Sequence, residues 1–365
     1  MTETLSAALA RGAREVAGEA AGGPSGVGAG GGSGRSYAVL ADRDDGVVVR
    51  YGDVVAKAHP ADGDPVELDQ RLRTAAAPEL AGVVLAPLRP AARELGGRAV
   101  TFWPYGVPVD PERPGDAPWE DAARLLAALH LTPVDRLPGP VPPMRGPAKV
   151  ARALRRMAGA TSGEAAARQA AARQAGTREG AVGGAAAASA PPGAVPVQDP
   201  AGAAAVVLAA ARTLPAWAMG AAPAPPSRVL CHGDLHLGQL VRPVGGVGGA
   251  GWRLIDVDDL GVGLPAWDLA RPAAWYAAGL LAPEVWLRFL DAYRAAGGPA
   301  AGPPGTDPWP ELDLAARALT VQTAALAVAK ACAEGRRLDD VERAMTDSCG
   351  RIATIPHELE RGAPA

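Results

Sequence analysis

The sequence predicts an α+β protein with two lobes, in which an antiparallel β-sheet lobe precedes a larger and mainly helical lobe. Short β-rich runs begin near residue 36 and read "SYAVLAD", "DGVVVRYG" and "DVVAKAHP", with Asp/Gly turn signals between them. Apolar residues at helical spacing take over from "PWEDAARLLAALHLTP" onward. With 365 residues, 48% of them hydrophobic, the chain is long enough to bury the core of such a fold.

These elements predict three segments along the chain. Residues 1–35 contain the Gly/Ser-rich run "AAGGPSGVGAGGGSG" and are expected to be a disordered leader. Residues 36–106 are expected to form the sheet lobe, and residues 107–365 the helical lobe. Within the helical lobe, the Ala/Gly-rich stretch at about residues 158–200 is expected to be an insertion, part loose helix and part disordered.

Composition argues against several classes of protein. A formal net charge of -3 and a pI near 6.0 argue against a nucleic-acid binder, which would carry a clustered basic excess. The N-terminus lacks a secretory pattern and no run reaches about 18 uninterrupted apolar residues, so we expect a cytoplasmic protein without a membrane partner. Cys231, Cys332 and Cys349 form no CxxC pair and are expected to be small core residues. The oligomeric state stays open.

Polar residues interrupt the apolar run "VLCHGDLHLGQL", which spans Val229–Leu240. Asp234 lies five residues before Gln239, and Asp256 follows at the end of the apolar strand "WRLID". Phosphoryl transfer requires a carboxylate that orients or deprotonates the attacking hydroxyl, and oxygen ligands that hold Mg²⁺ against the nucleotide phosphates. Asp234 suits the first role. Gln239 and Asp256 suit the second, because Mg²⁺ prefers hard oxygen ligands.

The segments "HGDLHLGQ" and "LIDVDDLGVGLPAWDLA" resemble the aminoglycoside phosphotransferase and choline kinase family, whose pattern is H-G-D-x-x-x-x-N followed by a magnesium-binding aspartate after a strand. Gln239 stands where most members carry Asn, and this form of the loop is also similar to that of maltokinase-like sugar kinases. The resemblance implies a bilobal protein-kinase-like fold, ATP and Mg²⁺ as cofactors, and phosphorylation of a hydroxyl group on a small molecule. It covers roughly residues 36–280 apart from the Ala-rich insertion.

The same resemblance implies a lysine that binds the nucleotide. Lys57 in "DVVAKAHP" occupies a strand position like that of the lysine that contacts the α- and β-phosphates. Glu67 is favoured as its acidic partner from the following helix, with Asp69 and Glu79 as open alternatives. All three acids could instead be solvated surface residues.

Further residues follow from the resemblance. Trp103 and Val107 lie in "TFWPYGVPV", the expected hinge of the nucleotide-binding lobe, where backbone groups would meet the adenine; the Trp103 side chain could instead fill the core. The phosphate loop is expected at Ala41–Val47, where a single glycine makes a weak signal. His232 is expected to brace the catalytic loop. Asp268 in "PAWDLAR" is expected to support that loop from a helix start, with an ordinary N-cap as the other reading.

The acceptor and the activity have alternatives. An aminoglycoside or other amino-sugar is favoured because five aspartates stand against two arginines between Asp234 and Asp268, but Mg²⁺ would neutralise part of that charge, so a neutral sugar or an amino alcohol is nearly as suitable. A nucleotide-binding pseudokinase without turnover would explain Gln239, the weak phosphate loop and the uncertain helix acid. A metal-dependent hydrolase that uses His232, Asp234 and His236 is a third reading, but it lacks further histidines to complete a site.

Overall fold

The computed structural model describes residues 4–20, 37–43, 46–176, 200–244 and 251–354. The chain divides into two compact units, each discontinuous in sequence. The first unit comprises Met1–Met144, Ser227–Asp268 and Arg288–Pro299, and the second unit comprises Arg145–Pro226, Leu269–Leu287 and Ala300–Ala365. Strands and helices are both abundant, which confirms the α+β class. The first unit extends beyond the lobe boundary expected at residues 106–107.

A five-stranded antiparallel sheet begins the first unit. Its strands are β1 (Ala38–Arg43), β2 (Gly46–Tyr51), β3 (Val54–Ala58), β4 (Arg93–Leu95) and β5 (Arg98–Pro104), in the order β1-β2-β3-β5-β4. Neighbouring strands all pair antiparallel, as the meander of short β-branched runs predicts. Helix α2 (Pro65–Ala75) follows β3 and begins where the Asp64 carboxylate accepts hydrogen bonds from two backbone N–H groups.

Helix α1 (Leu5–Ala20) packs on one face of this sheet. Its buried residues include Leu9 and Val16, which share one apolar core with side chains of β2, β3 and β5. Gly12 permits the close approach of the helix, because a Cβ at that position would lie 2.8 Å from Leu95 Cδ1. The helix therefore supplies one side of the core of the sheet.

The prediction of a disordered leader over residues 1–35 is wrong for Leu5–Ala20, which form α1. Apolar residues at Leu5, Leu9 and Val16 recur at helical spacing, but the many alanines around them weaken that signal. Packing on the sheet stabilises a 16-residue helix that would be only marginally stable by itself, because isolated helices of this length are marginal in water even when they are rich in alanine. Residues 21–36 lie outside the described residues.

Two small sheets hold the segments that carry the predicted site. β6 (Gly106–Pro108), β8 (Leu240–Pro243) and β9 (Arg253–Leu254) form one sheet, and β7 (Val229–Cys231) and β10 (Gly261–Gly263) form the other. β7 ends immediately before His232, and β9 ends two residues before Asp256. Helix α3 (Trp119–His130) contacts β7. Both site segments therefore begin at the end of a paired strand.

Helices make up most of the described part of the second unit. They are α4 (Gly146–Gly176), α5 (Pro200–Ala211), α8 (Trp309–Glu334) and α9 (Asp340–Ala353), together with parts of α6 (Ala266–Ala277) and α7 (Pro283–Ala295). α4 packs on α8, and α5 and α8 both pack on α9. Of the insertion expected at about residues 158–200, the part up to Gly176 continues α4, and residues 177–199 lie outside the described residues.

Helices α8 and α9 both lie in the second unit. α8 is, among the described helices, the one long and apolar enough to cross a membrane, but 72% of its most apolar stretch is buried inside the protein. α9 begins with a capping box between Asp339 and Glu342. Arg336 donates from both of its terminal nitrogens to Glu342, at 2.7 Å each. These hydrogen bonds lower the pKa of Glu342.

Candidate active site

Lys57 lies in β3 on the face of the sheet opposite α1. Side chains alternate between the faces of a strand, and Ala56 and Ala58 on either side of Lys57 are fully buried in the core under α1. The strand registers place Val48 and Thr101 beside Lys57 on its own face. About one fifth of the Lys57 side chain is exposed, at 20%. The sheet therefore fixes the direction in which the lysine points.

Lys57 binds two carboxylates that follow β9. Its Nζ lies 2.6 Å from Asp256 Oδ1 and 2.9 Å from Asp258 Oδ2. Burial alone would lower the pKa of Lys57, but the two carboxylates raise it above its ordinary value. Burial likewise opposes ionisation of Asp258, yet Lys57 and His59 hold the pKa of that carboxyl below its ordinary value. Lys57 and Asp258 are therefore both charged at neutral pH.

His59 joins Asp258 to the sheet. Its Nδ1 lies 3.3 Å from Asp258 Oδ2, and its Nε2 lies 2.9 Å from Thr101 Oγ1. Trp103 Nε1 also donates to Thr101 Oγ1, at 2.9 Å. The Nδ1–H group of His59 can donate to Asp258, and the Thr101 hydroxyl accepts from Trp103. Asp258 is therefore held from β3 and β5, a link that no spacing in the sequence indicates.

The HGD loop (residues 232–239) is tied to the segment that leads into Asp256. His232 is fully buried, and its Nε2 donates to the carbonyl oxygen of Ile255 at 2.8 Å. Its Nδ1 accepts from the backbone N–H of Asp234 at 3.4 Å. The backbone N–H of Ile255 in turn donates to Gln239 O at 2.9 Å. Since both ring nitrogens of His232 hold backbone groups, this residue positions the loop and is not available as a base.

Asp268 anchors the start of the same loop. Its Oδ2 accepts from the backbone N–H of His232 at 2.6 Å, and its Oδ1 accepts from that of Gly233 at 2.7 Å. His130 Nε2 lies 3.0 Å from Oδ2, while His130 Nδ1 lies 2.7 Å from the Tyr293 hydroxyl. Only 1% of Asp268 is exposed. The carboxylate therefore holds the backbone of the HGD loop, and these contacts favour a loop-supporting role for Asp268 over an ordinary N-cap role.

Gln239 and Asp256 present a donor set that suits Mg²⁺. Gln239 Nε2 donates to Asp256 Oδ2 at 3.1 Å, so the amide and the carboxylate lie within one hydrogen bond of each other. Rotation of a side-chain amide exchanges the positions of its oxygen and its nitrogen, so turning the Gln239 amide over would present its oxygen to the same place. One carboxylate and one amide oxygen, with phosphates and water, form a hard oxygen set of the kind Mg²⁺ prefers.

The backbone of Asp256 is itself unusual. Its φ of 63° lies in the left-handed region, and no other non-glycine residue among those described has a positive φ. This conformation costs about 1–2 kcal/mol and persists only where surrounding contacts over-determine it. A single helical turn, Val257–Asp259, follows at once and carries Asp258 back toward Lys57. The turn explains how two carboxylates so close in sequence reach one ammonium group.

The assignment of Glu67 as the acidic partner of Lys57 is wrong. Glu67 Oε2 instead lies 2.9 Å from Nη1 of Arg71, one turn further along α2. Asp69 accepts from the backbone N–H of Ala92 at 2.9 Å, and Glu79 is exposed. The partners of Lys57 come from the segment after β9, because that segment and not α2 faces its ammonium group.

The assignments of Trp103 and Val107 to the nucleotide base also need correction. Opposed residues in an antiparallel pair alternate between hydrogen-bonded and non-bonded positions. The bond from Tyr105 N to Asp53 O puts Trp103 at a bonded position opposite Val55, so its backbone faces β3. The bond from Val244 N to Tyr105 O likewise turns the backbone of Val107 toward β8.

Two neighbouring residues have the opposite orientation. By the same alternation, the carbonyl of Pro104 and the N–H of Gly106 point away from their strand partners. Gly106 also fits closely against β8, because a Cβ there would lie 2.5 Å from Val241 Cγ2. Among the described residues, the hinge backbone that faces outward is therefore that of Pro104 and Gly106.

The phosphate loop expected at Ala41–Val47 is shorter than predicted. β1 and β2 pair as far as Arg43 opposite Gly46, so five of those seven positions belong to paired strands. The connecting residues 44–45 lie outside the described residues.

The two histidines that a metal-dependent hydrolase would need as ligands are bonded to backbone groups. His236 accepts from the backbone N–H of Gly238 at 3.0 Å and caps the turn that leads to Gln239, while His232 is committed to backbone groups. A separate cluster of His130, Cys231 and Asp268 is compact enough for a metal ion. Burial and the charge of Asp268 raise the pKa of the Cys231 thiol well above its ordinary value, and the other two members of the cluster, His130 and Asp268, are already hydrogen-bonded to each other.

Comparison with known proteins identifies the family of this chain and its fold. A model of the phosphotransferase enzyme family, APH, matches residues 28–309. A choline/ethanolamine kinase family protein from Mesorhizobium loti has a similar structure, with a TM-score of 0.50 and 15% identity over 95% of this chain and 96% of that one. That likeness shows the fold. A search of curated protein sequences gives no significant match.

Two further structures are similar at lower scores. A spectinomycin phosphotransferase in complex with ADP and spectinomycin aligns with a TM-score of 0.48 and 12% identity, over 87% of this chain and 92% of that one. An ethanolamine kinase from Plasmodium vivax aligns with a TM-score of 0.44 and 11% identity, over 89% and 83%. The family match covers both the lysine strand and the HGD loop. The chain therefore belongs to the phosphotransferase enzyme family, and it has a protein-kinase-like fold.

Proposed function

We propose that this protein transfers the γ-phosphoryl group of ATP to a hydroxyl group of a small molecule, with Mg²⁺ as cofactor. One observation carries the proposal: Lys57 and Gln239 converge on Asp256, at 2.6 Å and 3.1 Å, beside the loop that bears Asp234. A cation for phosphate, a hard oxygen pair for a metal and a loop carboxylate are the parts that phosphoryl transfer requires.

Asp234 is the residue that would handle the acceptor. It is half-buried, and its position is set by the hydrogen bonds that hold the backbone N–H groups of Gly233 and of Asp234 itself. Its carboxylate would accept a hydrogen bond from the attacking hydroxyl and take up the proton as the oxygen–phosphorus bond forms and the bond to the nucleotide breaks. Rigid support of the loop keeps that carboxylate oriented before the acceptor arrives.

The remaining groups would hold the nucleotide. Lys57 would exchange one of its carboxylate contacts for phosphate oxygens. When bound by Asp256 and Gln239, Mg²⁺ would neutralise charge on the transferred group. The Pro104 carbonyl and the Gly106 N–H would meet the hydrogen-bonding edge of adenine, in place of Trp103 and Val107. All of these residues lie in the first unit.

The acidity of the site favours a cationic acceptor less than the sequence indicates. Of the five aspartates from residue 234 to residue 268, Asp256 and Asp258 bind Lys57, and Asp268 is buried against the HGD loop. A neutral sugar or an amino alcohol is therefore as suitable an acceptor as an aminoglycoside. We propose a small polyhydroxyl or amino alcohol acceptor, which would act in the cytoplasm without nucleic acid or membrane.

A panel of acceptors tests this function. Purified protein would be incubated with ATP and Mg²⁺ and with amino-sugars, neutral sugars or amino alcohols, and both ADP release and the phosphorylated product would be measured. Asp234→Asn should lower kcat by about 10²–10⁴-fold through loss of the base. Asp62→Asn, a change of the same kind at an exposed position of the first unit, should leave kcat unchanged.

The alternative is a pseudokinase that binds nucleotide without turnover, which Gln239 in place of Asn motivates. That reading predicts ATP binding by calorimetry with no acceptor-dependent ADP release, and no difference between Asp234→Asn and Asp62→Asn. Acceptor-dependent turnover that survives Asp234→Asn would instead remove Asp234 from the mechanism.

A further inference from the structure

Arg71 in α2 is a buried cation that the phosphotransfer roles leave unused. Only 2% of it is exposed, although a guanidinium stays charged at any ordinary pH. Its Nε donates to Leu260 O at 3.0 Å, and its Nη2 donates to Pro143 O at 3.1 Å. Glu67, about one third exposed, pairs with the remaining nitrogen. Burying a charge is costly unless its hydrogen bonds are made, and here all three nitrogens are engaged.

The two carbonyl groups belong to segments that meet behind the site. Val262 N donates to Pro142 O, and Met144 N donates to Val262 O, each at 2.9 Å. Gly261 lies against Pro142 so closely that a Cβ would collide with its carbonyl oxygen. Arg71 therefore binds across the junction of these two segments and holds both with one planar group.

The segment 256–260 is the part of this junction that touches the catalytic groups. It starts at Asp256, whose left-handed backbone must be held by its surroundings. It carries Asp258, which binds Lys57. Near its end, Asp259 O would lie 2.6 Å from a Cβ at Gly233, the residue that precedes Asp234. A shift of this segment would therefore disturb both the metal ligand and the HGD loop.

We propose that Arg71 is a positioning residue for phosphoryl transfer, which clamps the Leu260 and Pro143 carbonyls and so sets the placement of Asp256. Helix α2 thus acts on the site through a cation on backbone oxygens, where a helix acid on Lys57 was expected. The catalytic part of this inference rests on the proposed function. The clamp itself does not, because local order of the segment can be measured without turnover.

Hydrogen exchange and nucleotide binding test the clamp. Arg71→Met should speed amide exchange at residues 256–262 at least about tenfold, with β3 and β5 unchanged, because opening is local where one bond set is lost. Mg²⁺ should no longer tighten ATP binding in calorimetry, and kcat should fall about 10- to 100-fold with KM for ATP less affected. Arg73→Met, at an exposed position of the same helix, should match wild type in all three measurements.

Arg71→Lys separates a clamp from a general folding role. A lysine can reach one carbonyl, so exchange at residues 256–262 should rise by an intermediate amount while the rest of the first unit stays protected. Exchange that rises equally throughout the first unit in both variants would overturn the proposal, as would Arg71→Met protein that retains normal protection and normal Mg²⁺ coupling. If wild-type protein shows no turnover, the proposed function fails, while the exchange contrast between Arg71→Met and Arg73→Met still decides the clamp.

Discussion

Replacing Asp268 by asparagine is expected to loosen the HGD loop while keeping the volume of the side chain. The carboxylate accepts three hydrogen bonds, two at Oδ2 from His232 N and His130 Nε2, and one at Oδ1 from Gly233 N. Asparagine offers one acceptor oxygen and a donor NH₂ group. Whichever way the amide turns, it places a donor against a donor.

The magnitude follows from these contacts. The better orientation keeps the two bonds at the Oδ2 position and loses the bond to Gly233 N. Loss of one bond to a charged acceptor costs about 1.5–3 kcal/mol, and the two that remain weaken because the acceptor is now neutral. We expect Asp268→Asn to lower the free energy of unfolding of the first unit by about 3–4 kcal/mol, since Gly233 N is also left buried without a partner.

Urea unfolding and hydrogen exchange together measure this change. A chain with two compact units need not unfold in one step, so exchange at residues 231–234 provides the local reading. Asp62→Asn is the matched control at an exposed position. We also expect kcat to fall about tenfold or more, because Asp234 follows directly on the released backbone.

A loss of less than about 1 kcal/mol, with unchanged exchange at residues 231–234, would refute the anchoring role of Asp268. A double-mutant cycle with His130→Ala sharpens the test. The two changes should be strongly non-additive, because the residues share a hydrogen bond at 3.0 Å. Simple additivity would show that His130 and Asp268 act independently.

Three further predictions follow from other contacts. Glu67→Gln should change kcat by less than about twofold, whereas Asp258→Asn should lower it about tenfold or more, because the second removes a carboxylate that positions the active-site lysine. Gly106→Ala should lower the free energy of unfolding by about 1–3 kcal/mol in a thermal melt, because its Cβ would crowd β8, while Gly115→Ala, with nothing within 4 Å, should not. Glu342→Gln should lower the free energy of unfolding by about 1–2 kcal/mol at pH 7, as measured by urea titration. Folding lowers the pKa of Glu342 from its ordinary 4.5, so this difference should disappear as the pH falls below 4.5 and through the folded pKa.

A different result would contradict each of these three predictions. Equal loss of kcat in Glu67→Gln and Asp258→Asn would restore a helix acid to the site. Equal melting temperatures for the two glycine variants would show that β6 and β8 can move apart without cost. A Glu342→Gln deficit that persists at a pH well below the folded pKa of Glu342 would mean that the carboxylate charge is not the source of its stabilisation.

Much of the site could be predicted because its chemistry is local in sequence. The loop "HGDLHLGQ" and the strand "WRLID" each carry their polar residues at fixed offsets from a paired strand, and the structure places Asp256 and Gln239 in contact. Lys57 was identified from the resemblance of its strand to that of the nucleotide-binding lysine, and the structure places it between two small residues that face the core.

The errors concern contacts that depend on how elements are turned. Glu67 and Arg71 lie one turn apart in α2, and only the packing of that helix decides which reaches the site segments. Trp103 and Val107 differ from Pro104 and Gly106 by one residue, a shift that reverses backbone direction in a strand and leaves no trace in composition. Buried Arg71 and the His59–Asp258 contact join residues nearly 200 positions apart, so no spacing rule could indicate them.

Helix α1 has a practical consequence for anyone who shortens this protein. The Gly-rich run invites a start near residue 36, but such a cut removes Leu9 and Val16 and uncovers Val49 and Phe102, which are fully shielded from water in the intact chain. Each large apolar side chain left in water loses about 1.5–3 kcal/mol of stabilisation, and the exposed apolar face of the sheet would promote aggregation. The first twenty residues therefore belong in every expression design, however dispensable their alanines make them look.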